Sequence, residues 1–195
     1  MRKFAALLLV SLVSTVVFAQ GKPDINLNRR LQTYKRLTRD LNFEEIMNYT
    51  HPKMFTLAPK DEMIKVFRQI YDNDKFKMFI DSTAITSVSP SFKVGVTDYR
   101  RVDYAMKLTI QFKDTSATDD PNFVATIIQN LQRGYPDADV TFDQPKKSFI
   151  VRASSLLFAI KDTELSQWMF LGYQKNDDMI KLLYPQEVIE HFKLL

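Results

Sequence analysis

The hydrophobic pattern of this 195-residue chain changes its period near Asp74, and that change restricts the fold more than any single motif. Before Asp74, apolar residues recur at steps of three and four, as in Leu31, Tyr34 and Leu37, which is the spacing of an amphipathic helix. After it, apolar and polar residues alternate, most regularly over 104–113, as in a half-buried antiparallel strand. The pattern predicts an α+β fold in which N-terminal helices pack on a sheet.

Helix boundary signals divide the chain further. Three helices are predicted ahead of the sheet, over 27–41, 42–50 and 59–71. A further helix is predicted over 120–134, because Asp120 can cap it, Pro121 suits its first turn and Gly134 can end it. A last helix is predicted to begin at Pro185.

The late strands indicate how the sheet bends. In the extended run 148–161, the apolar face changes at Ser154 and Ser155, which predicts a β-bulge there. Another extended run covers 167–174, and a short strand is predicted to end at Leu183. Together these segments predict a curved sheet of mixed or antiparallel strands.

The first 20 residues have the pattern of a secretory signal. Arg2 and Lys3 precede an apolar run of 15 residues, and Ala19 supplies the small residue before a cleavage site. The alternative is a membrane anchor, but a spanning helix needs roughly 20 apolar residues. We therefore predict a signal peptide over 1–19, a single domain over 20–195, and a secreted or periplasmic protein with no membrane anchor.

Composition excludes several kinds of chemistry. The chain has no cysteine, which excludes thiolate metal sites and disulfides, and its four glycines never cluster into a phosphate-binding loop. Its two histidines, His51 and His191, are too far apart in sequence for a helical metal motif. We expect no cofactor, no metal and no nucleic acid partner. The basic residues of the first helix are interpreted as its solvated face; the alternative is a surface for anionic envelope components or a nucleic acid.

Four stretches carry a family resemblance: LNFEEIMNYTHPKMF at 41–55, KDEMIKVF at 60–67, WMFLGYQ at 168–174 and LLYPQEVIEHF at 182–192. They resemble secreted bacterial proteins of the nuclear transport factor 2-like fold, also called the ketosteroid-isomerase-like or cystatin-like cone. The resemblance implies a curved sheet that encloses a cavity. The helix predicted over 120–134 departs from the simplest cone, which has hairpins at that place.

Isomerases and cyclases of the cone fold place an aspartate base and a tyrosine or acidic donor in their cavity. No stretch here matches the ketosteroid isomerase pattern, so we assign no catalytic role to Asp81, Asp103 or any tyrosine. Four residues are instead candidates for ligand binding, because a cone would bring them near its cavity: Tyr34, His51, Tyr104 and Trp168. The alternative is structural: tyrosines packed with their hydroxyls at the rim, and a His51 ring that satisfies turn groups.

Three functions are compatible with these features of the chain. The first is a non-catalytic protein that binds a small apolar ligand, a peptide or another copy of itself, through the cavity or the outer sheet face, with a homodimer as one such assembly. The second is a cofactor-independent isomerase or cyclase with an Asp, Tyr or His pair in the cavity. The third is a module that associates with the cell envelope through the first helix. Fold alone does not distinguish them.

Overall fold

The computed structural model describes residues 24–173 and 179–195, and the predicted signal peptide over 1–19 lies outside them. The described residues form an α+β fold with a curved, open antiparallel sheet. The helices are α1 (Ile25–Arg39), α2 (Phe43–Met47), α3 (Lys60–Tyr71), α4 (Pro121–Gly134), α5 (Ile180–Leu183) and α6 (Gln186–Phe192). The strands are β1 (Phe76–Val88), β2 (Phe92–Val94), β3 (Thr97–Phe112), β4 (Asp139–Asp143), β5 (Ser148–Lys161) and β6 (Met169–Gly172).

The boundary residues explain where the helices begin. Asp24 caps α1 by accepting a hydrogen bond of 2.9 Å from the Leu27 N–H. Asp120 caps α4 in the same way through the Asn122 N–H, also at 2.9 Å, and Pro121 occupies the first turn. The predicted helix near 120–134 and the C-terminal helix are therefore confirmed.

Sheet order is β1-β3-β5-β4, with β2 paired to β3 and β6 paired to β5. All of these strand pairs are antiparallel, so the sheet is antiparallel rather than mixed. One isolated parallel bridge, between Thr50 and Phe170, joins the chain after α2 to β6. The central position of β3 and β5 places the core on these two long strands.

The predicted β-bulge at Ser154 and Ser155 is wrong. β5 pairs with β3 over 148–161 without any shift of register. Its apolar face changes because both faces are covered in its second half: Leu157 and Ala159 pack in the cluster under α1, whereas Phe158 and Ile160 pack in the cluster of α5 and α6. The apolar face of β5 therefore changes because a second layer, α5 and α6, covers its other face, and not because the strand is bulged.

The bulges occur in β1 instead. The register of β1 against β3 shifts between Ile80 and Ser82 and again between Ile85 and Ser87. Each shift adds one residue to β1, which increases its twist and resets which side chains point towards the helices. Ile85 and Val88 are three residues apart, yet both pack in the cluster under α1.

The short strand predicted to end at Leu183 is also wrong, because residues 180–183 form α5. Ile180, Leu183 and Tyr184 have the spacing of one helical face, and all three are buried in one cluster with Val188 and Ile189 of α6. These residues pack against the face of the sheet opposite α1, and this packing favours a helix over a strand for residues 180–183. Within residues 24–173 and 179–195, no helix is long and apolar enough to cross a membrane.

Candidate functional site

A cleft partly open to solvent lies between α1 and the sheet. The volume that the centre of a water molecule can occupy in it is about 100 Å³. α1 contributes four residues at the spacing of a single helical face, and four strands, β1, β3, β5 and β6, contribute the remainder. The lining residues are Leu31, Tyr34, Lys35, Thr38, Thr83, Ile85, Val102, Tyr104, Leu157 and Gly172.

Strand register sets the floor of this cavity. Ile85 of β1 lies opposite Tyr104 of β3, and Val102 of β3 lies opposite Leu157 of β5. Leu157 in turn lies opposite Gly172 of β6, which has no side chain to occupy the space above the sheet. The floor is therefore aliphatic, with a single phenol ring.

Two phenols, those of Tyr34 and Tyr104, line the cavity. The Tyr34 ring packs 4.8 Å from the ring of Phe170, measured between centroids. Burial raises the pKa of Tyr34, with smaller contributions from Tyr104 and Tyr71. Burial also raises the pKa of Tyr104, although the nearby Ser155 hydroxyl opposes the shift. Both phenols are therefore protonated at neutral pH and are available as hydrogen-bond donors.

The polar groups of α1 complete the site. Lys35 is the one charged residue among those that line the cavity. Thr38 lies one turn further along, and its hydroxyl oxygen is buried without a hydrogen-bond partner in the described part of the chain. No carboxylate and no imidazole belongs to the lining, so the cavity is equipped to hold a ligand and to donate hydrogen bonds to it.

His51 lies away from this cavity. It caps a short 3-10 turn (Pro52–Thr56), where its Nδ1 accepts a hydrogen bond of 3.2 Å from the Lys53 N–H. Its Nε2 is buried 3.7 Å from Asp162 Oδ2, beyond hydrogen-bonding distance. Burial lowers the pKa of His51 in spite of the opposing Asp162 charge. The turn therefore accounts for one ring nitrogen, and burial favours the neutral ring.

Trp168 is buried beside the cavity and does not line it. Its Nε1–H donates to Asp24 Oδ2 at 2.9 Å, and it shares a hydrophobic cluster with Tyr34 and Tyr104. Burial raises the pKa of Asp24, but hydrogen bonds from Leu27 and Trp168 outweigh it, so the net pKa lies below its ordinary value. Trp168 thus links the start of α1 to β6.

Of the four sequence candidates, the structure brings Tyr34 and Tyr104 together in the cavity, places Trp168 beside it and separates His51 from it. Sequence reasoning missed Lys35 and Thr38, although they lie four and seven positions after Leu31, offsets that share a helical face. No pattern in the sequence indicates that Thr83 and Ile85 line the cavity, because the orientation of their side chains depends on the bulges of β1.

The aspartates considered as bases lie on the opposite face of the sheet. Asp81 accepts a hydrogen bond of 2.7 Å from the Thr109 hydroxyl. Asp103 accepts one of 2.6 Å from the Ser87 hydroxyl and one of 2.8 Å from Arg101 Nε. Neither carboxylate belongs to the cavity lining.

Comparisons with protein-family models, with curated proteins and with solved structures found no match. Across the described residues, no group of three or more His, Asp or Glu side chains is arranged to hold a metal ion. The cavity between α1 and the sheet is more apolar than a second pocket beside α4, so it is the feature from which we infer a function.

Proposed function

We propose that this protein is a non-catalytic binding protein of the periplasm or cell exterior that holds a small apolar molecule between α1 and the sheet. The observation that supports the proposal is the cavity, in which Tyr34 of α1 lies over a largely aliphatic floor that contains one further phenol, Tyr104. Such a combination of apolar walls with a few polar groups is typical of ligand sites. The location follows from the signal pattern of the first 20 residues.

Cavity volume limits the size of the ligand. Pockets for drug-sized molecules measure roughly 300–1,000 Å³, and an engineered cavity of about 150 Å³ takes benzene. At about 100 Å³, this cavity suits a single ring or a short acyl chain, with the remainder of the ligand in the open part of the cleft.

We also propose that the fold is the nuclear transport factor 2-like cone. A curved sheet with N-terminal helices over one face supports it, as does a cavity enclosed by those elements. The isomerase alternative calls for an Asp, Tyr or His pair in the cavity. Tyr34 and Tyr104 line it, but no carboxylate or imidazole lies beside them to act as a base, so the binding role is favoured.

The geometry of α1 also gives little support to envelope association. The side chain of Arg30 turns inward, where its Nε donates to the Trp168 carbonyl and its guanidinium lies 4.3 Å from the centre of the Tyr49 ring. Arg36 and Arg39 both form ion pairs with Asp40. Three of the five basic residues of α1 are therefore engaged within the fold.

A cavity-filling substitution tests the binding proposal. We expect toluene and 1-hexanol to raise the melting temperature of the wild type, since a ligand that binds only the folded state stabilises it. Ile85→Phe should abolish this increase because the larger side chain occupies the cavity. Ile150→Phe is the matched control, as Ile150 is half-buried and does not line the cavity. The proposal is overturned if neither compound stabilises the wild type or if both variants respond equally.

A further inference from the structure

Lys35 is a cation beside an apolar cavity without an acidic partner. Within residues 24–173 and 179–195 it forms no ion pair, whereas its neighbours on α1, Arg36 and Arg39, lie 3.8 and 3.0 Å from Asp40. Lys35 is half-buried, and its side chain lines the cavity with Tyr34 and Thr38. An uncompensated positive charge among hydrogen-bond donors is the arrangement that recognises an anion.

We infer that the ligand of this cavity is a small monocarboxylate with a short apolar body. Its carboxylate lies at Lys35 and the phenols, and its apolar body lies against Ile85 and Val102. This inference rests on the proposed function and specifies the chemical class of the ligand.

Charge and hydrogen bonding together favour this class. A carboxylate accepts hydrogen bonds but donates none, and the Tyr34 and Tyr104 phenols, which line the cavity and are protonated at neutral pH, supply donors. The unpartnered Thr38 hydroxyl would supply a third after rotation about its Cα–Cβ bond. One lysine balances one negative charge, so a monoanion fits better than a phosphate dianion.

The volume of the cavity and the aliphatic side chains of its floor restrict the apolar body of the ligand. A space of about 100 Å³ over aliphatic side chains suits a phenyl ring or a short branched chain. Benzoate combines such a ring with a carboxylate and is therefore a suitable probe. Benzamide has nearly the same shape without the charge, and benzylamine carries the opposite charge.

The experiment measures the affinities of these three probes by NMR chemical-shift titration at low ionic strength. We expect the wild type to bind benzoate about tenfold more tightly than benzamide, as charge-assisted hydrogen bonds are roughly twice as strong as neutral ones. Lys35→Met should remove the preference, because it weakens the binding of benzoate far more than that of benzamide. Lys35→Arg should keep most of it, and Lys65→Met, at an exposed site on α3, should keep all of it.

Each outcome separates this inference from the proposed function. If benzamide binds as tightly as benzoate, or if Lys35→Met retains the preference, the inference is wrong while the cavity proposal stands. Tighter binding of benzylamine also overturns the inference. If none of the three probes binds, or if Ile85→Phe binds benzamide as well as the wild type does, the proposed function fails as well.

Discussion

Replacement of Thr38 by valine tests the polar defect in the wall of the cavity. The Thr38 oxygen exposes less than 1 Å² to solvent and has no hydrogen-bond partner in the described part of the chain. Threonine in a helix usually donates to a carbonyl one turn earlier, and Thr38 does not do so here. Valine has nearly the same shape and no hydroxyl, so Thr38→Val removes the unpaired group and leaves the packing in place.

The gain in stability follows from the cost of an unpaired group. An unsatisfied buried hydroxyl costs about 1–3 kcal/mol, and threonine and valine have similar helix propensities. Because Thr38 is only partly buried as a residue, we take a value near the lower end. We expect Thr38→Val to raise the free energy of unfolding by about 1.5 kcal/mol. For a chain of this size that corresponds to roughly 3–6 °C in melting temperature.

Urea unfolding, followed by the fluorescence of the single tryptophan, Trp168, measures the change. Thr33→Val is the matched control on α1, as the Thr33 hydroxyl already donates to the Arg29 carbonyl at 3.2 Å. Its effect should stay within about 0.5 kcal/mol. The reasoning is refuted if Thr38→Val lowers stability, or if the two variants change it equally.

Two further predictions concern pH. Burial lowers the pKa of His51 below 6.5, so the stability contributed by its neutral ring is complete above pH 6.5 and is lost as the pH falls towards the folded-state pKa. In urea unfolding, His51→Asn should weaken this dependence on pH; a pH profile equal to that of the wild type would contradict this expectation. The pKa of Asp24 also lies below its ordinary 3.8, so its charged form contributes stability that is present above pH 3.8 and is lost as the pH falls through its folded-state pKa. Asp24→Asn should reduce acid sensitivity there, and an unchanged acid unfolding midpoint would exclude this role.

Local signals were sufficient to predict most of the elements. The caps and first-turn residues of α4 are adjacent in sequence, so Asp120 and Pro121 identify its start without knowledge of the fold. The alternation over 104–113 predicted much of β3, because a strand half-buried by one layer shows a simple period of two. Helix caps and strand alternation both depend on residues a few positions apart, so they can be recognised from the sequence alone.

The errors arose where a second layer contacts an element. The change of apolar face in β5 suggested a bulge because only one buried face was assumed, whereas α5 and α6 cover the other face. The true bulges are in β1, where the spacing of Ile85 and Val88 was the only local sign. No local rule separates a bulge from a change of layer.

The cavity residues also divide into features that local patterns predict and features that depend on tertiary contacts. Tyr34 was predicted from the helical stripe and Tyr104 from the alternation of β3, yet their meeting depends on how α1 crosses the sheet. His51 was grouped with them by position in the chain, but the pairing of the neighbouring Thr50 with Phe170 holds it at a separate turn.

The sequence by itself determined the α+β class, the helix caps and the residue types available for chemistry, because these depend on the period of apolar residues and on contacts between near neighbours. Only the tertiary structure decided which face of β5 meets which layer and which side chains line the cavity. It also decided that Lys35 stands beside that cavity without an acidic partner among the described residues. These features depend on strand register and helix packing, which join residues far apart in the chain.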